Sequence, residues 1–254
     1  LYAGDSGPPS GSVPVLARYE AASNRIEIGH TATVTGEVTA RLIAEVLSRR
    51  LGYRVEAVLA DVAAIYSALG AGRIDVFPGA WTPDAHRSLL DRVKTGHVEP
   101  LGTLSHRARL GWLVIADRAA PPDIPALADP RTRGAFGSRI HGGEAGSGVM
   151  RLSERALTRY GLTGWRLETS SRAGAALALK RAYDRNERVV ATGRHPHWIL
   201  DALPLRFLAD PKNAFGGPQR IRILGRTGFT RDRPWAAQVL GRISLPPARD
   251  SVAT

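Results

Sequence analysis

From Arg25 onward, short runs of branched aliphatic residues alternate with amphipathic segments of helical period, and this alternation leaves few architectures open. Strands that take turns with helices need crossover connections, so the fold class expected is α/β, with parallel sheets covered by helices. Arg25-Ile26-Glu27-Ile28 reads as the first strand, followed by the loop Gly29-His30-Thr31-Ala32-Thr33. A helix then starts at Thr35 as N-cap, carries Val38, Leu42, Ile43, Val46 and Leu47 as its apolar stripe, and closes at Gly52. Val55-Glu56-Ala57-Val58 is the second strand, a helix with Val62, Ile65, Tyr66 and Leu69 follows, and Ile74-Asp75-Val76-Phe77 is the third strand. Pro78-Gly79-Ala80-Trp81-Thr82-Pro83 reads as the loop after it.

The pattern continues with a strand over 110–115 that carries the chain into a second lobe. A short strand, Ser138-Arg139-Ile140, precedes a glycine-rich loop over 142–148, which opens a helix bearing Val149, Leu152, Ala156 and Leu157 and ending at Gly161. A helix from Arg172 to about Asp184 feeds the run Val189-Val190-Ala191-Thr192. Gly193 is expected to break that strand, and Arg194-His195-Pro196-His197-Trp198 forms the loop beyond it. Four loops, centred on His30, Trp81, Gly146 and Arg194, thus follow the carboxyl ends of strands, where open α/β sheets bind ligands. Between 203 and 211 the chain returns to the first lobe, and Trp235, Val239, Leu240 and Ile243 form a last helical stripe before Pro246-Pro247. The expected organisation is a flexible N-terminal tether over 1–24, a discontinuous first lobe over 25–108 plus 209–254, and a second lobe over 109–208.

Charge and composition narrow the function classes. The net charge of +12 raises the question of nucleic acid or an anionic surface, but the arginines are scattered and no nucleic-acid module accompanies them, so no nucleic-acid partner is expected. With no cysteine, disulfides and thiolate metal sites are excluded. No apolar stretch approaches the roughly 20 residues that span a bilayer. The chain starts at Leu1 rather than Met, as a processed or a trimmed protein would, which leaves room for a signal peptide or membrane tether outside this sequence, and the lack of cysteine fits the periplasmic or extracytoplasmic location expected.

Several stretches together resemble the substrate-binding proteins of glycine betaine, choline and proline betaine ABC importers. They are Leu51-Gly52-Tyr53-Arg54-Val55, Gly79-Ala80-Trp81-Thr82-Pro83 with His86, the segment 143–150, Ser170-Ser171, Pro196-His197-Trp198, Ala209-Asp210-Pro211-Lys212, and Phe215-Gly216. The resemblance implies a two-lobed periplasmic-binding-protein fold, type II-like, whose hinge closes over a small-molecule ligand in the cleft between lobes. It implies a monomer without cofactors or metal, working with an ABC-type transmembrane permease and its ATPase. It also implies a cage of Trp or Tyr faces around a quaternary ammonium, with polar donors for a carboxylate.

Two positions depart from that pattern. His30 stands where the family carries an aromatic after the first strand, and Arg194 replaces the first residue of Trp-x-Pro-His-Trp. If both face the cleft, a permanent charge repels a caged trimethylammonium and the ligand is a different zwitterion or an organic acid. If Arg194 turns outward, Trp112 or another aromatic rebuilds the cage. The expected ligand-binding residues are His30, Thr31, Trp81, Thr82, Glu144, Gly146, Ser147, Arg194 and His197, with Trp112 and Trp165 in the core and Trp198 packed beneath its loop. Side chains alternate along extended chain, so Arg194 and His197 share the cleft only where Pro196 bends it.

Two other classes stay open. His195 and His197, sharing a face, could bind a metal with His30 for hydrolysis, although no His-Glu-x-x-His or Gly-x-Ser-x-Gly signature supports it. A sensory or lipid-binding module could use the same fold.

Overall fold

The computed structural model describes residues 24–93, 97–117, 119–171 and 173–245. The tether expected before Asn24 and the Pro246-Pro247 interruption lie outside these residues, as does Arg172. Among the described residues, no helix is long and apolar enough to cross a membrane.

The first five elements are β1 (Arg25–His30), α1 (Val34–Leu51), β2 (Arg54–Leu59), α2 (Val62–Gly70) and β3 (Val76–Thr82). β1 pairs in parallel with both β2 and β3, with α1 and α2 as the crossover connections. α1 starts two residues earlier than its sequence cap suggests. Thr33 is the N-cap, its Oγ1 accepting from the Gly36 N–H at 3.0 Å, and Gly52 closes the helix in the left-handed region. Its buried face is Thr39, Ala40, Ile43 and Leu47, so Val38 and Leu42, expected inside, stand 58% and 48% exposed.

α3 (Arg87–Arg92) leads to β4 (Val98–Ile115), a single strand of 18 residues. Then come α4 (Pro130–Ala135), β5 (Arg139–His141), α5 (Gly148–Arg159), β6 (Arg166–Glu168), α6 (Gly174–Asp184), β7 (Val190–His195), α7 (Ile199–Ala202) and β8 (Leu205–Phe207). β9 (Gln219–Arg226), α8 (Phe229–Asp232) and α9 (Pro234–Arg242) are the last elements among the described residues.

Nine strands pair in the order β2-β1-β3-β9-β4-β7-β5-β6, with β8 beside β4. β4 changes partners along its length. From Val98 to Ala108 it lies antiparallel to β9, and from Arg109 to Ile115 it lies antiparallel to β7 and β8. The sheet thus has two halves that share one strand.

Each half has its own core. Ile26, Ile28, Ile43, Leu47, Val76, Ile223, Phe229 and Leu240 pack in the first, and Trp112, Val114, Ile140, Leu152, Val190 and Leu208 in the second. The return to the first half comes later than the sequence suggests. Ala214 and Phe215 pack into the second core, and the Asp210 carboxylate accepts from the Tyr160 hydroxyl and from the Ala214 and Phe215 amides. Only at Gln219, paired opposite Ala108, does the chain rejoin the first half.

Two segments read as loops are strand. β3 continues through Pro78-Gly79, where its register on β9 shifts, and reaches Thr82. β7 continues through Gly193, opposite Gly111, and Arg194, opposite Leu110.

Candidate functional site

Residues of the two halves line a cavity of about 420 Å³. From the first half, the wall takes the turn after β1 with Thr31 and Thr33, the start of α1 with Thr35 and Thr39, Asp61 after β2, and Trp81 on β3. From the second half it takes 143–149, the loop between β5 and α5, together with Arg194 and His197 at the end of β7. These are carboxyl ends of strands and starts of helices, where side chains and amide dipoles converge.

Of the residues singled out from sequence, Thr31, Trp81, Glu144, Gly146, Ser147, Arg194 and His197 line this cavity. His30 and Thr82 are not part of the wall. His30 is buried at the end of β1, its Nδ1 3.3 Å from the Thr31 carbonyl oxygen. Arg194 and His197 both line the cavity, on either side of Pro196, which lines it too. His195 goes the other way, with Nδ1 3.0 Å from the Arg107 carbonyl oxygen. The expectation that His195 and His197 share a face therefore fails, and no group of three metal-ligating side chains occurs among the described residues.

Trp81 is the only Trp, Tyr or Phe on the cavity wall among the described residues. Trp112 cannot rebuild a cage, because it is fully buried with its Nε1–H donating to Ser153 Oγ at 2.9 Å. Trp165 is likewise core, bonded to the Leu127 carbonyl oxygen. Trp198 does not pack beneath its loop. It caps the short α7 and stands 54% exposed, its ring 5.6 Å from that of His197.

Trp81 is held by a residue whose role the sequence did not reveal. His86 Nδ1 accepts from the Trp81 backbone N–H at 3.1 Å, and the His86 N–H donates back to the Trp81 carbonyl at 3.0 Å. Since Nδ1 already accepts there, it carries no proton, and the Tyr66 hydroxyl at 3.2 Å is its second donor. Burial, with Arg151 nearby, pushes the His86 pKa down to about 3. Burial beside Arg194 likewise pushes His197 down to about 4. Both imidazoles on the wall are therefore neutral at ordinary pH, and its charged groups are Arg194, Asp61 and Glu144.

Ser147 is the N-cap of α5, yet its side chain makes no cap bond, and its Oγ is buried without a protein partner. A buried hydroxyl of this kind at a helix start is available to a bound molecule. Thr31 was expected on the wall, but Asp61, Thr33 and Thr35 escaped the sequence reading as site residues, because Thr and Asp at the start of a helix look like ordinary caps. Asp61 is in fact the N-cap of α2 but makes no side-chain cap bond.

Known proteins of similar sequence and structure share this arrangement of elements. Residues 24–250 match the family described as the substrate binding domain of ABC-type glycine betaine transport systems. The chain is 39% identical over 103 residues to the glycine betaine/carnitine transport binding protein of Listeria monocytogenes, a match spanning 40% of this chain and 34% of that protein. Among solved structures, the glycine/betaine/L-proline-binding protein of an ABC transporter from Borrelia burgdorferi is similar, with a TM-score of 0.79 and 26% identity. That match covers 87% of this chain and 82% of the other. A lactococcal binding protein in its closed conformation with glycine betaine gives 0.77 and 27%, covering 87% and 84%. The architecture is that of a two-lobed periplasmic binding protein, with the cavity between its lobes.

Proposed function

The chain belongs to the family of substrate-binding domains of ABC-type glycine betaine transport systems, and we propose that it is an extracytoplasmic solute receptor whose preferred cargo differs from a caged trimethylammonium. It captures a small zwitterionic solute between its lobes and presents it to a transmembrane permease driven by an ATPase, acting as a monomer and carrying out no chemistry of its own. The lobes divide where β4 exchanges β9 for β7, at Ala108 and Arg109, and again between Phe215 and Gln219. Two adjacent crossings of this kind suit a hinge. Closure then gains the difference in affinity that the ligand has for the closed over the open state.

The observation that carries the altered cargo is Arg194 on the cavity wall, in company with a single aromatic, Trp81. A quaternary ammonium needs several ring faces and an absence of fixed positive charge. Two like charges 4 Å apart repel by about 4 kcal/mol at the effective dielectric of such sites. A guanidinium suits a carboxylate instead, which it can bind through two parallel N–H donors.

Isothermal calorimetry against betaines, choline, carnitine, amino acids and organic acids tests the reading. One small zwitterion should bind with 1:1 stoichiometry, and Arg194→Ala should weaken it at least about tenfold, as loss of a charge-assisted bond would. Tight binding of glycine betaine or choline that Arg194→Ala leaves unchanged would overturn the altered specificity.

A further inference from the structure

We infer that Gln219, which is no part of the cavity wall, is a positioning residue for it: its amide clasps the turn 84–86 that carries His86, and so couples the strand on which the chain re-enters the first half to the setting of Trp81. The inference rests on the cleft being the solute site and on the hinge proposed above.

Gln219 is the first residue of β9 and is fully buried. A polar side chain in such a place needs its hydrogen bonds made. Its Oε1 accepts from the backbone N–H of Asp84 at 3.0 Å and of Ala85 at 3.3 Å, and its Nε2 donates to Asp84 Oδ2 at 2.9 Å and to the Gly217 carbonyl at 3.0 Å. These bonds fill both sides of the carboxamide, and the partners admit only one orientation of it. A glutamate could accept from the two amides but would meet the Asp84 carboxylate with nothing to donate. The chain just before Gln219 follows the same carboxylate closely, for a Cβ at Gly216, where φ is +80°, would fall 2.2 Å from Asp84 Oδ2.

The place of the clasp gives it its role. Phe215 packs in the second core and Gln219 pairs opposite Ala108, so the clasp closes on the chain just where it has crossed between halves. On its other side, the turn 84–86 leads straight to the site. Trp81 and His86 bond each other through both the Trp81 N–H and the Trp81 carbonyl, and residues 84 and 85 lie inside the loop that those bonds close. The ladder of β3 on β9 pairs Trp81 with Ile221 and ends with Thr82 opposite Arg220. Gln219 carries the grip of β9 one residue further, onto the turn itself. Rotation of the second half at the crossing therefore starts from a segment fixed to the turn after Trp81, and the indole keeps its place while the lobes move.

Hydrogen exchange of the Trp81 amide, followed by NMR on the whole chain without solute, tests this. In Gln219→Glu that amide should exchange about tenfold or more faster relative to the amide of Ile28, a fully buried residue of β1, because the turn opens while the rest of the half stays closed. The double variant Asp84→Asn with Gln219→Glu gives the introduced carboxylate a donor again and should bring the ratio back to within about threefold of wild type. Asp84→Ala, which removes one of the four bonds, should raise the ratio about threefold or more and reads the same clasp in the event that Gln219→Glu does not fold. A Trp81 amide that keeps step with Ile28 in every single variant that folds, or a double variant no slower than Gln219→Glu, overturns the inference and leaves Gln219 a residue of overall stability only. The solute panel decides the receptor reading separately, since no solute enters the exchange measurement.

Discussion

His86 Nδ1 receives two donors, from Trp81 and Tyr66, and so has no room for a proton. Protonating the ring fully would break one of these bonds and put a charge into a buried place beside Arg151, which is why the pKa falls to about 3. His197 follows the same logic at about 4. Both groups bind protons more readily when unfolded, at an ordinary value of 6.5, than when folded. Their contribution to stability is therefore complete above pH 6.5 and is lost as pH falls from there toward 4 and below. Urea midpoints measured from pH 7.5 to pH 4 should decline, and His86→Gln should flatten the slope while lowering the midpoint at neutral pH. A midpoint independent of pH across that range would contradict the neutral-imidazole assignment.

At the scale of elements, β4 and α9 touch backbone to backbone at Gly102. A Cβ there would lie 2.8 Å from the Leu240 carbonyl oxygen and 3.2 Å from the Gly241 Cα, and neither can swing aside. Gly102→Ala should lift α9 from the sheet and cost about 1–3 kcal/mol, the usual range for overpacking, read as a lower urea midpoint with the m-value kept. The same contact shows why elements were only partly legible from sequence. Most strands and helices announce themselves by period, and β2, β5 and α5 lie close to where their apolar residues put them. β3 and β7 run past their expected ends because β9 and β4, distant in sequence, keep pairing through Pro78-Gly79 and Gly193. α1 shows apolar residues around more than one face, and packing alone decided that Thr39 and Ala40 turn inward while Val38 turns out. In the candidate site, Trp81 and Arg194 stood out because they are conspicuous in loops, whereas Asp61 and His86 gain meaning only from what the fold brings beside them.

For the whole molecule, the closure proposed above would use contacts made across the halves. Arg151 on α5 donates from Nη2 to the Ala85 carbonyl at 2.6 Å, just after β3, and from Nη1 to the Gly146 carbonyl. Burial lowers its pKa from the ordinary arginine value, with Arg92 adding to the effect, yet it stays charged. Gly148 lies so near that a Cβ would approach the Ala85 oxygen to 2.8 Å. Arg151→Ala should loosen this seam, enlarging the radius of gyration measured by small-angle scattering without solute and weakening solute binding severalfold, with helix content unchanged. An unaltered radius and affinity would show that the seam plays no part in closure.

The sharing of β4 also fixes an order of events at birth. All strands of the second half lie between Arg109 and Phe207, so its part of the sheet can form from one continuous stretch of chain. The first half cannot, because β9 lies between β3 and β4 and begins only at Gln219. A chain emerging from the ribosome must hold β1 to β3 without their central neighbour while more than a hundred further residues are made. The half that is translated first is thus the last to fold, and the apolar edge of β3 is what a chaperone would meet in the meantime.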